Sequence, residues 1–282
     1  MTDPGAPHDL SADLELAVAA ARDAGDVVMQ WFRQPLDVRY KEPGQPLTEA
    51  DLAADRTLRQ RLIGDRPDYG WLSEESVDTA DRLARPRVWI VDPIDGTRSF
   101  IAGRPEFTIS IGLAVDGMVA VGVVYNPATG ELFSALRDGG ARLHQGDDSL
   151  VLELPATAAR EAGGSTVRLL ASRTEIDAGE FSGFGAGWQV APVGSTAYKL
   201  ARIAAGLGDG FLSRGPKSEW DICAGVLLVR EAGGRVTDLR GAEPLFNGPD
   251  PYVHGILAAR ADMHEAVMRH MARLPATDRL RR

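Results

Sequence analysis

Carboxylates at punctuated places are the residues of this sequence whose types and spacing could do chemistry. Asp92 and Asp95 lie three apart in Asp92-Pro93-Ile94-Asp95-Gly96-Thr97, directly after the apolar run Val88-Trp89-Ile90-Val91. Glu74 and Glu75 follow Trp71-Leu72-Ser73, Asp51 stands in Thr48-Glu49-Ala50-Asp51, and Asp221 follows Glu219-Trp220. A carboxylate at the end of an apolar strand is partly desolvated, and two in one Pro/Gly turn can aim at one point. Like charges about 4 Å apart repel by roughly 4 kcal/mol at an effective dielectric of about 20, so such a cluster needs protons or a cation. Ligands that are all oxygen favour a hard ion, Mg²⁺ or Mn²⁺, over zinc. Gly96 and Thr97 let backbone N–H groups converge on an anion if Thr97-Arg98-Ser99-Phe100 opens a helix, and a metal beside an amide nest suits a phosphate. Plainer readings compete. Asp-Pro-x-Asp-Gly is ordinary turn composition, Thr48/Asp51 fits a capping box with Asp in place of Glu, and paired glutamates are common in solvated loops.

The elements that must position these residues follow from periodicity. Leu14, Val18, Ala21, Val28, Trp31 and Phe32 mark a helix with Ser11 as N-cap, Asp13 and Glu15 in its first turn and Pro35 as its stop. A second helix begins at Thr48, with Ala54, Leu58 and Leu62 along one face. Val88 to Val91 reads as a buried strand stopped by Pro93 and Gly96. Phe107 to Val115 and Met118 to Tyr125 form a hairpin through Asp116-Gly117, Glu131 to Leu136 adds a third antiparallel strand, and the Gly/Asp-rich stretch Asp138 to Asp148 closes the region. Beyond residue 155 the order alternates: strand Val167 to Ala171, helix Ala197 to Ala205, strand Gly210 to Ser213, helix Asp221 to Ala232, strands Arg235 to Asp238 and Gly255 to Ala259, then helix Ala261 to Leu274. The expected organisation is a disordered lead-in (1–9), an α+β half (10–155), an α/β half (156–274) and a tail (275–282).

The 282 residues carry a net charge of −9, which argues against a grip on nucleic acid polymer or an anionic membrane. Their single cysteine excludes an intramolecular disulfide and a multi-Cys zinc site, the pattern of a cytoplasmic chain. No apolar run approaches the ~20 residues that span a bilayer, and Met1 to His8 lacks the pattern of a signal peptide.

Ser73-Glu74-Glu75, then Trp89 through Asp92-Pro93-Ile94-Asp95-Gly96-Thr97 to Phe100, then Trp220-Asp221-Ile222-Cys223-Ala224-Gly225 and Glu231-Ala232-Gly233-Gly234 together resemble the inositol monophosphatase family of metal-dependent phosphomonoesterases. The resemblance runs over nearly the whole chain; Leu72 stands where many members carry Gly, a change that touches no ligand. It implies a layered α/β/α/β/α sandwich, with an antiparallel sheet in the first half and a mixed sheet in the second. It also implies two, or with a weaker site three, Mg²⁺ ions, with Mn²⁺ as the alternative. Glu74, Asp92 and the Ile94 carbonyl would hold the first ion, and Asp92, Asp95 and Asp221 the second. The third would lie near Glu74 with Asp51 in its outer shell. Gly96 and Thr97 would bind phosphate, and Thr97, bonded toward Asp51, would take or orient the proton of the attacking water. Lithium inhibition is a further implication. Members are commonly dimers, and the sequence identifies no interface.

Substrate choice falls to the second half, where Gly194, Ser195, Thr196 and Asp221 match pocket segments. Lys199, Arg214 and Lys217 would suit a second phosphate, as in the bacterial 3'(2'),5'-bisphosphate nucleotidases that this stretch resembles, with adenosine 3',5'-bisphosphate giving AMP and phosphate. A solvated Lys199 with Arg214 and Lys217 on a loop surface would leave an inositol-1-monophosphatase or another sugar phosphatase. A catalytically idle binding module is the reading of a different class, and the intact ligand-type acids argue against it. Cys223 reads as packing, and His264 and His270, six apart, do not make a zinc-protease helix.

Overall fold

The computed structural model describes residues 9–155 and 166–273. The expected lead-in before Asp9, the segment 156–165 and the tail from 275 lie outside the described residues. Helix α1 (Leu10–Met29) is capped by Asp9, whose side chain accepts from the Ser11 amide at 2.9 Å, so the cap lies two residues before the expected Ser11. Leu10 packs against the core, which draws the helix start back. The helix also ends at Met29, well before Pro35. A hairpin that periodicity did not suggest, β1 (Arg39–Glu42) and β2 (Gln45–Leu47), leads to α2 (Glu49–Asp65), which starts at the Thr48 capping box as expected.

After β3 (Gly70–Ser73) and a 3₁₀ turn (Ala80–Ala84), β4 (Arg87–Asp95) runs past Pro93 and stops only at Gly96. A bulge between Asp92 and Asp95 absorbs the proline, so the strand outlasts its expected end at Val91. Then come α3 (Thr97–Ile101), β5 (Thr108–Val115), β6 (Met118–Asn126), β7 (Glu131–Leu136), β8 (Gly140–Gln145) and β9 (Asp148–Leu152). Asp116 and Gly117 both take positive φ, the geometry that a two-residue hairpin needs. The Gly/Asp-rich stretch is not a closing loop. It folds as the β8–β9 hairpin, whose mostly exposed residues give no apolar alternation to read.

The second half contains β10 (Val167–Ala171), α4 (Arg173–Asp177), β11 (Trp188–Pro192), α5 (Thr196–Ala204), β12 (Gly210–Ser218), α6 (Glu219–Glu231), β13 (Gly234–Thr237), β14 (Tyr252–Arg260) and α7 (Ala261–Met271). The seven-stranded sheet has the order β3-β4-β5-β6-β7-β8-β9 and is antiparallel except for β3, which lies parallel to β4. The five-stranded sheet, β11-β10-β12-β14-β13, is mixed.

Alternation along the strands assigns the layers. In β4, Trp89 and Val91 join the core beneath α1 and α2, while Val88 and Ile90 face the core that holds α5 and α6. In β14, Ile256 and Ala258 share that middle core, while Leu257 and Ala259 pack with Met263 and Val267 of α7 on the outer face. The order is therefore α/β/α/β/α, and the middle core draws on residues from both sides of position 155.

One close approach sets where α6 sits. A Cβ on Gly112 of β5 would lie 2.5 Å from Cys223 Sγ, and one on Gly122 of β6 would lie 2.7 Å from the Ala224 carbonyl oxygen. These two glycines let α6 lie directly on the first sheet and bring Asp221 in its first turn to the other half. Gly122→Ala is expected to cost about 1–3 kcal/mol through overpacking and to weaken divalent-ion binding with it. Denaturant unfolding and Mg²⁺ titration check this; unfolding at the wild-type midpoint would show that the contact is unimportant.

Candidate active site

Four elements deliver the acids. Glu74 follows β3, and its amide continues the ladder by donating to the Val91 carbonyl at 3.2 Å. Asp92 and Asp95 end β4 on either side of the bulge, Asp221 is in the first turn of α6, and Asp51 is in the first turn of α2. Single carboxylate oxygens of Glu74, Asp92 and Asp221 all lie within 4.8 Å of one another. Asp92 is fully buried. Burial first, then the charges of Glu74, Asp95 and Asp221, pushes the Asp92 carboxyl well above its ordinary range; burial, Asp95 and Glu74 do the same to Asp221. Three carboxylates brought this close with oxygen donors only are the donor set of a hard dication, so the residues fit Mg²⁺.

Asp95 lines the same cavity but is tied across to the second half. Its Oδ2 accepts from Ser195 Oγ at 2.6 Å and from the Ala197 amide at 2.5 Å, which leaves Oδ1 as its remaining oxygen. Asp51 is anchored in the same way: Oδ2 accepts from the Thr48 amide at 2.7 Å and the Thr48 hydroxyl at 2.6 Å. Its Oδ1 lies 3.1 Å from Thr97 Oγ1, which is also 3.1 Å from the Ile94 carbonyl, so one hydroxyl proton faces two acceptors. Burial raises the Asp51 carboxyl, although the bonds from Thr48 and Thr97 oppose it. The capping box and the contact with Thr97 thus use different oxygens of one side chain.

Gly96 takes φ +100°, and a Cβ there would lie 2.9 Å from the Glu106 carbonyl, so both the turn and the space require glycine. Across the cavity, Ser195 holds φ +60° as the cap of α5, a conformation rare for a residue with a side chain. Lys199 holds that turn from beneath. Its Nζ donates to the Ser195 carbonyl at 2.7 Å and the Val193 carbonyl at 3.3 Å, and the residue is 1% exposed. Lys199 is therefore not a solvated helix residue, and burial pulls its ammonium down to about 8 against the raising influence of Asp95. Arg214 and Lys217 lie on strand β12 rather than on a loop and do not line the cavity; Arg214 is buried, and Lys217 is 3.3 Å from Glu175.

Glu74, Asp92, Ile94, Asp95, Gly96, Thr97, Gly194, Ser195, Thr196, Lys199 and Asp221 all line one cavity of about 380 Å³. Several neighbours carry no sequence signal. Lys41 of the β1 strand places its ammonium 2.7 Å from Glu74 and 3.0 Å from Glu75. Burial works to lower the Lys41 pKa, but the two carboxylates outweigh it and raise it. Burial and the charge of Glu74 push Glu75 up to about 7. Arg98, Arg104 and Arg173 line the same cavity, on a loop and short helices where isolated arginines are unremarkable.

A five-layer sandwich whose halves each supply acids to one cavity defines a class of hydrolase acting on phosphate monoesters. A model of the inositol monophosphatase family matches residues 9–276, and the chain belongs to that family of phosphatases. It is 37% identical over 252 residues to an inositol-1-monophosphatase of Mesorhizobium japonicum, covering 84% of this chain and 89% of that one. The extragenic suppressor protein suhB of Bartonella henselae superposes with a TM-score of 0.78 at 30% identity, covering 93% of this chain and 99% of that one. CysQ of Bacteroides thetaiotaomicron, a bacterial family member, superposes with a TM-score of 0.72 at 27% identity, covering 89% and 97%. No helix among the described residues is long and apolar enough to cross a membrane.

Removing one charge from the crowded carboxylates separates ion binding from folding. Without divalent ions, Asp92→Asn is expected to melt higher than wild type, because a buried like charge is gone. Mg²⁺ at about 100 times its Kd should stabilise wild type by about 2.7 kcal/mol and the variant by far less. Melting curves with and without Mg²⁺ check both, and an equal Mg²⁺ response would remove Asp92 from the ligand set.

Proposed function

We propose that this phosphatase hydrolyses a small phosphate monoester that carries a second anionic group, with a nucleoside 3',5'-bisphosphate as the leading substrate, in a Mg²⁺-dependent reaction in the cytoplasm. One observation carries the reading: a single cavity joins the Glu74, Asp92, Asp95 and Asp221 carboxylates to the cations Arg98, Arg104, Arg173 and Lys199. Acids without a cation rim would suit a neutral polyol phosphate equally well.

Glu74, Asp92 and Asp221, with Asp95 Oδ1 and the Ile94 carbonyl, are the groups that would hold Mg²⁺. When bound, such an ion supplies a lowered water pKa and neutralises charge on the leaving oxygen. The chain itself supplies the proton path. Thr97 Oγ1 accepts a proton from a water on its cavity side and passes its own to Asp51 Oδ1, the oxygen that the Thr48 cap leaves free. Gly96 and Thr97 on one side, and Gly194, Ser195 and Thr196 on the other, seat the phosphate ester between the halves. Inositol 1-phosphate is the second reading, favoured by the 37% identity to an inositol-1-monophosphatase.

With Mg²⁺ present, kcat/KM for adenosine 3',5'-bisphosphate is expected to exceed that for inositol 1-phosphate by at least about tenfold, a difference of ~1.4 kcal/mol in transition-state binding. A reversed order would hand the assignment to the polyol phosphate. Lithium at millimolar concentration is expected to lower the rate with either substrate. An unchanged rate would separate the ion sites of this chain from those that the family resemblance implies.

A further inference from the structure

The cations of the cavity are not equivalent. Arg98 is spent on the hairpin and α4: its guanidinium donates to the Gly44 carbonyl and, at 3.1 Å, to Thr174 Oγ1. Arg173 is forked onto Glu106, with contacts of 2.5 and 3.0 Å. Lys199 is buried beneath the Ser195 turn with two carbonyls on its ammonium. Arg104 differs from all three. It is exposed, it lines the cavity, and its side chain makes no hydrogen bond or ion pair among the described residues.

Its backbone is nevertheless fixed. The Arg104 amide donates to the Ser99 carbonyl at 2.9 Å, Gly103 turns the chain at φ +66°, and Arg33 Nε reaches the Gly103 carbonyl at 3.3 Å. The nearby acid, Glu106, is already satisfied: Oε1 takes one Arg173 nitrogen, and Oε2 takes the other together with the Gly194 amide. Burial works to raise the Glu106 carboxyl, but those bonds and the charges of Arg173 and Arg104 hold it below its ordinary value. Arg104 is thus a guanidinium on a rigid turn, at the mouth of an acid-lined cavity, with its planar fork uncommitted. A fork of this kind pairs bidentately with a phosphate.

We infer that Arg104 is a specificity-determining residue that binds the second anionic group of the substrate, the one that is not hydrolysed. The inference rests on the two-anion reading of the substrate given above. It also moves the second-phosphate role from Lys199, whose ammonium is committed to carbonyls, to a residue in the loop after α3.

The test compares adenosine 3',5'-bisphosphate with adenosine 3'-monophosphate, which presents the same reacting phosphate and lacks the second one. The ratio of their kcat/KM values is the selectivity. Arg104→Gln is expected to lower that selectivity by about 10–100-fold, mainly through KM of the bisphosphate, the size of one lost charge-assisted contact. Arg104→Lys, which keeps the charge and loses the fork, should recover part of it. Melting at the wild-type temperature shows that the variants fold. If wild type favours the bisphosphate and Arg104→Gln keeps that preference, the assignment of Arg104 is overturned while the two-anion reading stands. A wild-type selectivity near one overturns both.

Discussion

Everything in this fold answers to the crowding of like charges at one point. Glu74, Asp92 and Asp221 come from two halves of the chain to within a few ångströms, and the protein does not neutralise them by pairing each with an arginine. It anchors acids through single oxygens. Asp92 Oδ1 accepts from the Ile94 amide at 3.0 Å, Asp95 Oδ2 from Ser195 and Ala197, and Asp51 Oδ2 from Thr48. One oxygen fixes the carboxylate in place while the other takes no part in that anchor. A bidentate ion pair would fix the group as firmly and leave it nothing to offer.

Holding that arrangement requires unusual backbone on both sides of the cavity. The bulge between Asp92 and Asp95 lets β4 continue through Pro93, so two acids three apart serve the same space. Opposite them, Ser195 keeps a left-handed φ that costs of order 1–3 kcal/mol, and it persists because Lys199, Thr108 and Asp95 all bond to that residue. The strain is maintained by the residues that use it. A buried lysine is expensive in its own right, and here its ammonium replaces lost hydration with the carbonyls of the turn that it supports.

Sequence made the acids legible because they stand where apolar strands end and helices begin, and the strands and helices that carry them because apolar residues repeat with periods of 2 and 3.6. Thr48 and Asp51 could be read as a cap, and Gly96 as the stop of the strand, from local spacing alone. Exposed, polar elements were not legible: β1, β2, β8 and β9 bury little, so burial leaves no rhythm in them. Nor were the partners that only tertiary structure creates. Lys41 meets Glu74 across 33 positions, Arg173 meets Glu106 across 67, and no local pattern announces either. Lys199 read either as a ligand of a second phosphate or as a solvated helix residue, and it is a buried brace of the Ser195 turn, because charge in a sequence carries no statement of depth.

The close seat of α6 on Gly112 and Gly122 also has a meaning in time. Chains are made from the N-terminus, so Glu74, Asp92 and Asp95 emerge from the ribosome long before Asp221 and the helix that brings it. Until then the seven-stranded sheet presents one apolar face with nothing of its own to cover it, floored by two glycines that await a later helix. That face is therefore open to aggregation over the same interval in which the acid cluster lacks Asp221, and the docking of α5 and α6 closes the one and completes the other.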